Sequence, residues 1–424
     1  MKSKISKSQL YGEITCPANK SYTHRAVFLA SLAQGKSKIE NALRSDDTNA
    51  TIGACRSFGA QIDESDSVLE IKNNTILIQS SKIDAANSGT TIRIAAAIAS
   101  LSEQSSILTG DTSLQKRPMQ PLLDALESIG AKCTSNQGNP PITIQGKISG
   151  GDVKIPGNIS SQFITAILIA APLTERGISL EIKGDLVSKP YLDATIAAMK
   201  KFGVTVQTTQ QYKKYLITRQ AYQATNFVVP SDFSSLALLL AAAVLVGGSL
   251  SIKVELGDLP QGDKAFLEIL EKLGVTILFH DAKISVQSPD KLKGGAFDLS
   301  NTPDILPALA ILALKSENPI EIFNVRHARF KETDRIKIIC RELEKLGLDI
   351  SEKEDGMILQ NTHKLTGADL DSQGDHRLFM AFCIAGMYVG ESTVSDPESA
   401  SVSYPDFVSE IGRVGGRIEP YNEL

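Results

Sequence analysis

LEKLGVTI at residues 270–277 returns as LEKLGLDI at residues 343–350, and both stretches have one anatomy. An amphipathic helix pattern runs into a Gly behind an apolar residue, and an extended segment follows. Four more stretches share it: RSFGAQI (56–62), LESIGAK (126–132), MKKFGVTV (199–206) and IGRVGGRI (411–418). Their glycines, Gly59, Gly130, Gly203, Gly274, Gly347 and Gly415, are spaced by 71, 73, 71, 73 and 68 residues. Gly just past an amphipathic helix is the expected stop, because it enters the left-handed conformation without a Cβ clash.

A second marker runs in phase with the first. Apolar, small-residue stretches lead through Gly into strand-like sequence in AVFLASLAQGKSKIE (26–40), AILIAAPLTERGISLEI (166–182), ALLLAAAVLVGGSLSI (237–252) and AFCIAGMYVGESTVS (381–395). From Gly35 through Gly177 and Gly248 to Gly390 the steps are 142, 71 and 142 residues, and weaker copies lie near Gln104 and Glu317. Each repeat therefore holds one buried and one amphipathic helix, with strands between and after them. Six such α/β units fill the 424 residues. The period is longer than that of common solenoids, and the chain length favours two domains.

Composition closes off several classes of function. With 42% hydrophobic and 22% charged residues the chain reads as globular. No charge-free apolar run reaches the about 18 residues of a membrane span. The opening MKSKISKSQLYGEITCP has no apolar leader, which predicts neither a signal peptide nor a transit segment. A net charge of −4 gives no reason to expect nucleic acid. Cys16, Cys55, Cys133, Cys340 and Cys383 are odd in number and widely spaced, so reduced structural thiols, no metal site and a cytoplasmic location are expected.

Polar clusters recur at one place in the repeat, the entry to a helix. PANKSYTHR carries Lys20, Ser21 and Arg25. AANSGTTIR carries Asn87, Gly89 and Arg93, and QKRPM carries Arg117. ISSQF supplies Ser160, Ser161 and Gln162, where capping accounts for one Ser but not for three polar groups in a row. VSKPYLD supplies Ser188 and Tyr191. RFKETDR packs five charges into seven residues, including Lys331, Glu332 and Arg335, and QGDHR brings Asp375, His376 and Arg377. Asp304 opens the apolar helix of NTPDILPALAILA.

Each cluster alone reads as a solvated or capped helix start. Together they predict several anion-ready helix starts aimed at one location. Like charges 4 Å apart repel by about 4 kcal/mol at an effective dielectric of 20, so gathered cations point to a multiply anionic ligand. Asp304 and Glu332 would then serve proton transfer. The residues by themselves indicate an enzyme acting on small, highly charged phosphorylated acids.

The same residues resemble the 5-enolpyruvylshikimate-3-phosphate synthases of the enolpyruvyltransferase family. The likeness runs from NKSYTHR through SDDT, NSGTTIR, RPM, SSQF, SKPY, TPD, KETDR and DHR to YPDF, nearly the whole chain. It implies an α/β fold of two globular domains, each of three βαβαββ units, with residues 19–227 in one and 1–18 with 228–424 in the other. It also implies an active site in the interdomain cleft, closing on its substrates. The implied reaction moves the enolpyruvyl group of phosphoenolpyruvate to the 5-hydroxyl of shikimate 3-phosphate, in aromatic amino acid biosynthesis. The implied enzyme is a monomer without cofactor or metal, whose partners are those two small molecules, with no nucleic acid or membrane.

Carried over by motif, Lys20, Ser21, Arg25, Ser160, Ser161, Gln162, Ser188, Tyr191, Asp304 and Lys331 would contact shikimate 3-phosphate. Lys20, Asn87, Gly89, Arg117, Gln162, Arg335 and Arg377 would contact phosphoenolpyruvate. Asp304, Glu332, Lys20 and Lys331 would be catalytic, with Arg93, Asp375, His376 and His327 in support. Gly89 is the small residue tied in the family to glyphosate sensitivity. Three positions depart from the pattern: Val402 where a Lys is common, His327 where Asn is, and Ile94 where Pro is. The competing readings are an enolpyruvyltransferase for UDP-N-acetylglucosamine, expected to show Lys-Asn near its start and a loop Cys, and a silent binding protein on the same scaffold. Lys20-Ser21 speaks against the first, and the intact Asp304, Lys331 and Glu332 against the second.

Overall fold

A computed structural model of the chain describes residues 1–73 and 81–421. Helices alternate in character as the repeat requires. The apolar series is α1 (Lys20–Leu32), followed after α2 (Asp46–Ser57) by α3 (Gly89–Ala99), and after α4 (Gln120–Glu127) by α5 (Ser161–Ala170). It continues past α6 (Lys189–Lys201) to α7 (Phe233–Val246), past α8 (Ala265–Lys272) to α9 (Leu306–Leu312), and past α10 (Arg335–Lys345) to α11 (His376–Val389). The short α12 (Phe407–Arg413) closes the amphipathic series. Every residue of α7 is buried, whereas α10 buries one face and exposes Lys337, Arg341, Glu344 and Lys345.

The stop signals work as the spacing predicts. Gly59, Gly130, Gly203, Gly274, Gly347 and Gly415 all have φ between +81° and +117°. A side chain there would strain the turn that sends each amphipathic helix into its strand.

Six four-stranded sheets form among the described residues. In three of them one stretch of chain supplies every strand. Ser81–Asp84 runs parallel to Ser106–Thr109, which pairs antiparallel with Asn139–Gln145, and Lys132–Asn136 lies at the edge. The parallel pair needs a crossover, and α3 provides it; this is one βαβαββ unit. The other three sheets borrow a strand from far along the chain. Asn226–Val228 lies parallel to Gly35–Glu40, and Leu10–Thr15 lies parallel to Gly248–Lys253. Lys2–Ser6 sits between Ser392–Ser395 and Arg417–Tyr421, antiparallel to both.

The chain divides into two compact units, each with its own core. One comprises Ala18–Pro230 with Gly257–Gln261 and is built on α1 to α6. The other comprises Met1–Pro17, Ser231–Leu256 and Gly262–Leu424 and is built on α7 to α12. The excursion of Gly257–Gln261 has no mark in the repeat pattern. Its Leu259 is buried in the core of the 18–230 unit, and Asn19 Nδ2 donates to Gln261 Oε1 at 2.6 Å.

Polar caps fix where the apolar helices begin. The side chains of Asn19, Ser88, Ser160, Asp232 and Asp375 each accept from a backbone N–H in the first turn of α1, α3, α5, α7 and α11. Each such cap stabilises its helix by about 1 kcal/mol. All five cysteines are free, and burial raises the thiol pKa of each. No helix among the described residues is long and apolar enough to cross a membrane.

Candidate active site

The candidates form three groups, two of them in the 18–230 unit. Lys20 and Ser21 open α1, and Lys20 Nζ pairs with Asp47 Oδ2 at 3.0 Å. Arg25, one turn further, is 2% exposed. Its Nε donates to Thr195 Oγ1 at 2.9 Å, and its two Nη atoms reach the Ser21 and Tyr191 carbonyls at 2.9 and 3.1 Å. Burial lowers its pKa to about 10, with Tyr22 and Tyr191 opposing. Ser188 precedes α6 in a left-handed conformation (φ 56°) and makes no cap bond, so its hydroxyl is not used as a cap.

The second group surrounds Gly89. Gln162 Nε2 donates to Thr90 Oγ1 at 3.1 Å, while its Oε1 accepts from Arg93 Nη1. Arg93 also stacks its guanidinium 5.0 Å from the Phe163 ring centroid. Arg117 Nη2 donates to Asn87 Oδ1 at 2.7 Å. A Cβ on Gly89 would stand 2.7 Å from Arg93 Nη1, 3.2 Å from Arg117 Nη1 and 3.4 Å from Gln162 Oε1. A missing side chain is what lets two arginines and an amide meet there. Ser160 caps α5 and Ser161 opens it, so capping indeed engages one Ser only.

The third group lies in the other unit and centres on Arg335, 1% exposed at the start of α10. Its Nε donates to Asp375 Oδ2 at 2.8 Å, Nη1 to Asp304 Oδ1 at 3.0 Å and Nη2 to Glu332 Oε2 at 2.7 Å. Burial alone would lower its pKa, but Asp375, Glu332 and Asp304 reverse this and raise it. Lys331 Nζ lies 3.4 Å and Arg377 Nη2 3.9 Å from Asp304 carboxylate oxygens. Asp304 sits in the first turn of the 3-10 helix Pro303–Ile305, before α9, and lies within 4 Å of three cations. A first-turn acid is what a helix start alone would favour, and the three cations are what a site would add.

One expectation changes in detail, and the three departures from the family pattern find their places. Gathered cations are not supported by a ligand alone, since Asp47 offsets Lys20, and Asp304, Glu332 and Asp375 offset Arg335. His327 is buried with no partner for Nε2, and burial, then Lys331, lowers its pKa to about 4, so it is neutral at pH 7. Val402 ends the 3-10 turn Pro397–Val402 and is buried, as is Ile94 inside α3. His376 and Arg377 occupy the buried first turn of α11.

Sequence reading missed Asp47, Thr195, Ser234 and Asp263. Asp47 stood in the quoted SDDT, where the Ser45–Thr48 capping box hid it. Ser234 stood in SDFSS, a polar run at the entry to the apolar α7. Thr195 and Asp263 are single polar residues inside or beside helices and carry no local signal.

The whole chain is similar to known proteins. The family model EPSP synthase (3-phosphoshikimate 1-carboxyvinyltransferase) matches residues 5–411. The chain is 64% identical over 428 residues to the 3-phosphoshikimate 1-carboxyvinyltransferase of Nitrosopumilus maritimus, covering 99% of this chain and 100% of that one. It is 41% identical over 431 residues to the enzyme of that name from Methanosarcina mazei, covering 100% of both. Among solved structures, an EPSP synthase from Acinetobacter baumannii matches with a TM-score of 0.81 at 27% identity, over 99% of both chains. The enolpyruvyl transferase NikO from Streptomyces tendae, 16% identical with a TM-score of 0.80, covers 100% of this chain and 99% of its own and shares the fold. By the span of the family model and the identity to these relatives, the chain belongs to the EPSP synthase family.

Proposed function

We propose that the protein transfers the enolpyruvyl group of phosphoenolpyruvate to the 5-hydroxyl of shikimate 3-phosphate, releasing phosphate. The observation that carries the reading is the Arg335 centre, where one guanidinium joins the two acids that the reaction needs, Asp304 and Glu332. Family membership supplies the substrates.

Addition and elimination follow from these groups. Glu332 gives a proton to the methylene carbon of phosphoenolpyruvate, which leaves C2 cationic and open to attack. Asp304 takes the proton of the 5-hydroxyl as its oxygen bonds to C2. A tetrahedral intermediate results, still bearing phosphate. The Glu332 carboxylate then takes a proton back from the methyl group, and phosphate leaves with the proton that Asp304 took, which restores the double bond. Lys20 and Lys331 stabilise the charge that moves through these steps.

Arg335, Arg377 and Arg117 bind the carboxylate and phosphate of phosphoenolpyruvate, Lys20, Asn87 and Gln162 contact the same substrate, and Gly89 leaves room. Lys20, Ser21, Arg25, Ser160, Ser161, Gln162, Ser188, Tyr191, Asp304 and Lys331 hold shikimate 3-phosphate. Arg93 orients Gln162, Asp375 orients Arg335, and His376 and His327 play a supporting part in the unit that holds Arg335. The enzyme acts as a cytoplasmic monomer. Phosphate release from phosphoenolpyruvate, with shikimate 3-phosphate in one vessel and UDP-N-acetylglucosamine in another, tests the reading. Release in the first vessel alone is the expected result, and release in the second alone overturns the substrate.

A further inference from the structure

Asp263 belongs to none of the motifs, yet its setting is unusual for an acid. It lies in the 3-10 turn Gly262–Lys264 ahead of α8 and is 5% exposed. Its Oδ2 accepts a hydrogen bond from Ser234 Oγ, in the first turn of α7, while its Oδ1 is buried with no hydrogen-bond partner. The charged groups that reach it are Asp304 before α9, Arg377 on α11 and Asp232 at the cap of α7. Its neighbour Lys264 turns toward the Phe233 ring, 5.2 Å from the centroid.

Two of these three outside groups are acids. A buried carboxylate with one bond donated to it and one bare oxygen is costly to ionise, and a second acid nearby adds to the cost. The turns that carry Asp263 and Asp304 both pack against α7, and two carboxyls so near one another titrate as a pair in which the more buried one keeps the proton longer.

We propose that Asp263 is a positioning residue for the enolpyruvyl transfer, holding the one proton that it shares with Asp304, so that Asp304 stays ionised toward the substrate hydroxyl. This rests on Asp304 being the proton acceptor. Burial, then repulsion from Asp304, raises the Asp263 carboxyl to about 7, while Ser234 and Arg377 act against the shift and Asp232 with it. Above that pH Asp263 becomes a second negative charge in the field of Arg377 and weakens the hold on anionic phosphoenolpyruvate.

Two measurements on wild type, D263N and D263A test this. The first is urea unfolding without substrate from pH 4.5 to 8.5. A carboxyl whose folded pKa is raised gives stability that is complete below its unfolded pKa and lost as pH rises through the folded one. Wild type should therefore lose stability relative to D263N as pH approaches and passes 7. The second is steady-state phosphate release across the same range. The ratio of the wild-type KM for phosphoenolpyruvate to that of D263N should rise by roughly threefold to tenfold between pH 6 and 8.5. At pH 6, D263N should recover most of the turnover that D263A loses, because it keeps the neutral shape.

A wild-type-to-D263N stability difference that is the same at every pH overturns the shared proton. A pH-dependent stability difference with a flat KM ratio overturns the positioning role and leaves the reaction standing. Absence of phosphate release from wild type counts against the proposed reaction, and the positioning role falls with it, while the unfolding series still decides whether the proton is shared.

Discussion

Arg335 Nη1 donates to Asp304 Oδ1 at 3.0 Å, joining residues 31 positions apart that open neighbouring helices of one repeat unit. The same guanidinium spends its remaining nitrogens on Glu332 and Asp375, so one buried cation orders three carboxylates. A planar fork of fixed donors can do this, whereas a flexible ammonium cannot.

Removing that cation should be the most damaging single change at the centre. Arg335→Ala leaves Asp375, Glu332 and Asp304 facing one another without their shared counter-charge. Breaking a buried ion network in this way costs about 3–5 kcal/mol, which urea unfolding would show. Arg335→Lys should keep more of the stability but little activity, because it cannot serve three carboxylates at once.

Asp304→Asn and Glu332→Gln keep size and shape while removing proton transfer. Each should lower kcat by about a hundredfold to ten-thousandfold with the fold kept by circular dichroism, and should lower the unfolding midpoint less than Arg335→Ala does, because two carboxylates still pair with Arg335. A raised KM with kcat unchanged would instead mark these acids as binding groups only.

Gly89→Ala places a methyl against the ends of two arginine side chains. Those ends are flexible, so the protein should fold and the guanidinium groups should shift. Overpacking by about 1–3 kcal/mol at a substrate contact raises KM for phosphoenolpyruvate roughly tenfold to a hundredfold. KM for shikimate 3-phosphate should move far less, and a comparable rise in both would refute the assignment of Gly89.

His327 gives a pH dependence of stability with a definite sign. Burial, then Lys331, lowers its folded pKa to about 4, below the ordinary value of an unfolded chain. The unfolded state therefore binds more protons as pH falls, and stability declines from about pH 6.5 down to pH 4. Between pH 7.5 and 5 the loss from this group is about 2 kcal/mol. His327→Asn should unfold with a correspondingly smaller difference between those two pH values; an unchanged difference would place the effect elsewhere, for example at His24, whose pKa burial also lowers.

Much of the candidate site was legible because its residues come in local clusters with a physical signature. Lys20 to Arg25, Ser160 to Gln162 and Lys331 to Arg335 each put polar side chains where capping needs only one. Asp304 was harder, since a lone acid before an apolar helix reads as a cap until its partner 31 residues on is seen. Ser234 stood in SDFSS at the entry to α7, where capping by Asp232 accounts for only part of the run. Asp263 was not legible at all, because a single acid acquires meaning only through burial and company and has no period or spacing.

The sequence by itself determined the six α/β units, their alternating helices and the glycines that end them, because helix periodicity and left-handed turns are local properties. Only the tertiary structure decided which distant strands complete the sheets. Leu10–Thr15 beside Gly248–Lys253 and Asn226–Val228 beside Gly35–Glu40 are pairings of backbone groups that must find partners somewhere, and no side-chain pattern names where. The same holds for the charges. The sequence counted the cations, but only the fold set Asp47, Asp304, Glu332 and Asp375 against them, since electrostatic energy depends on distance in space and not along the chain.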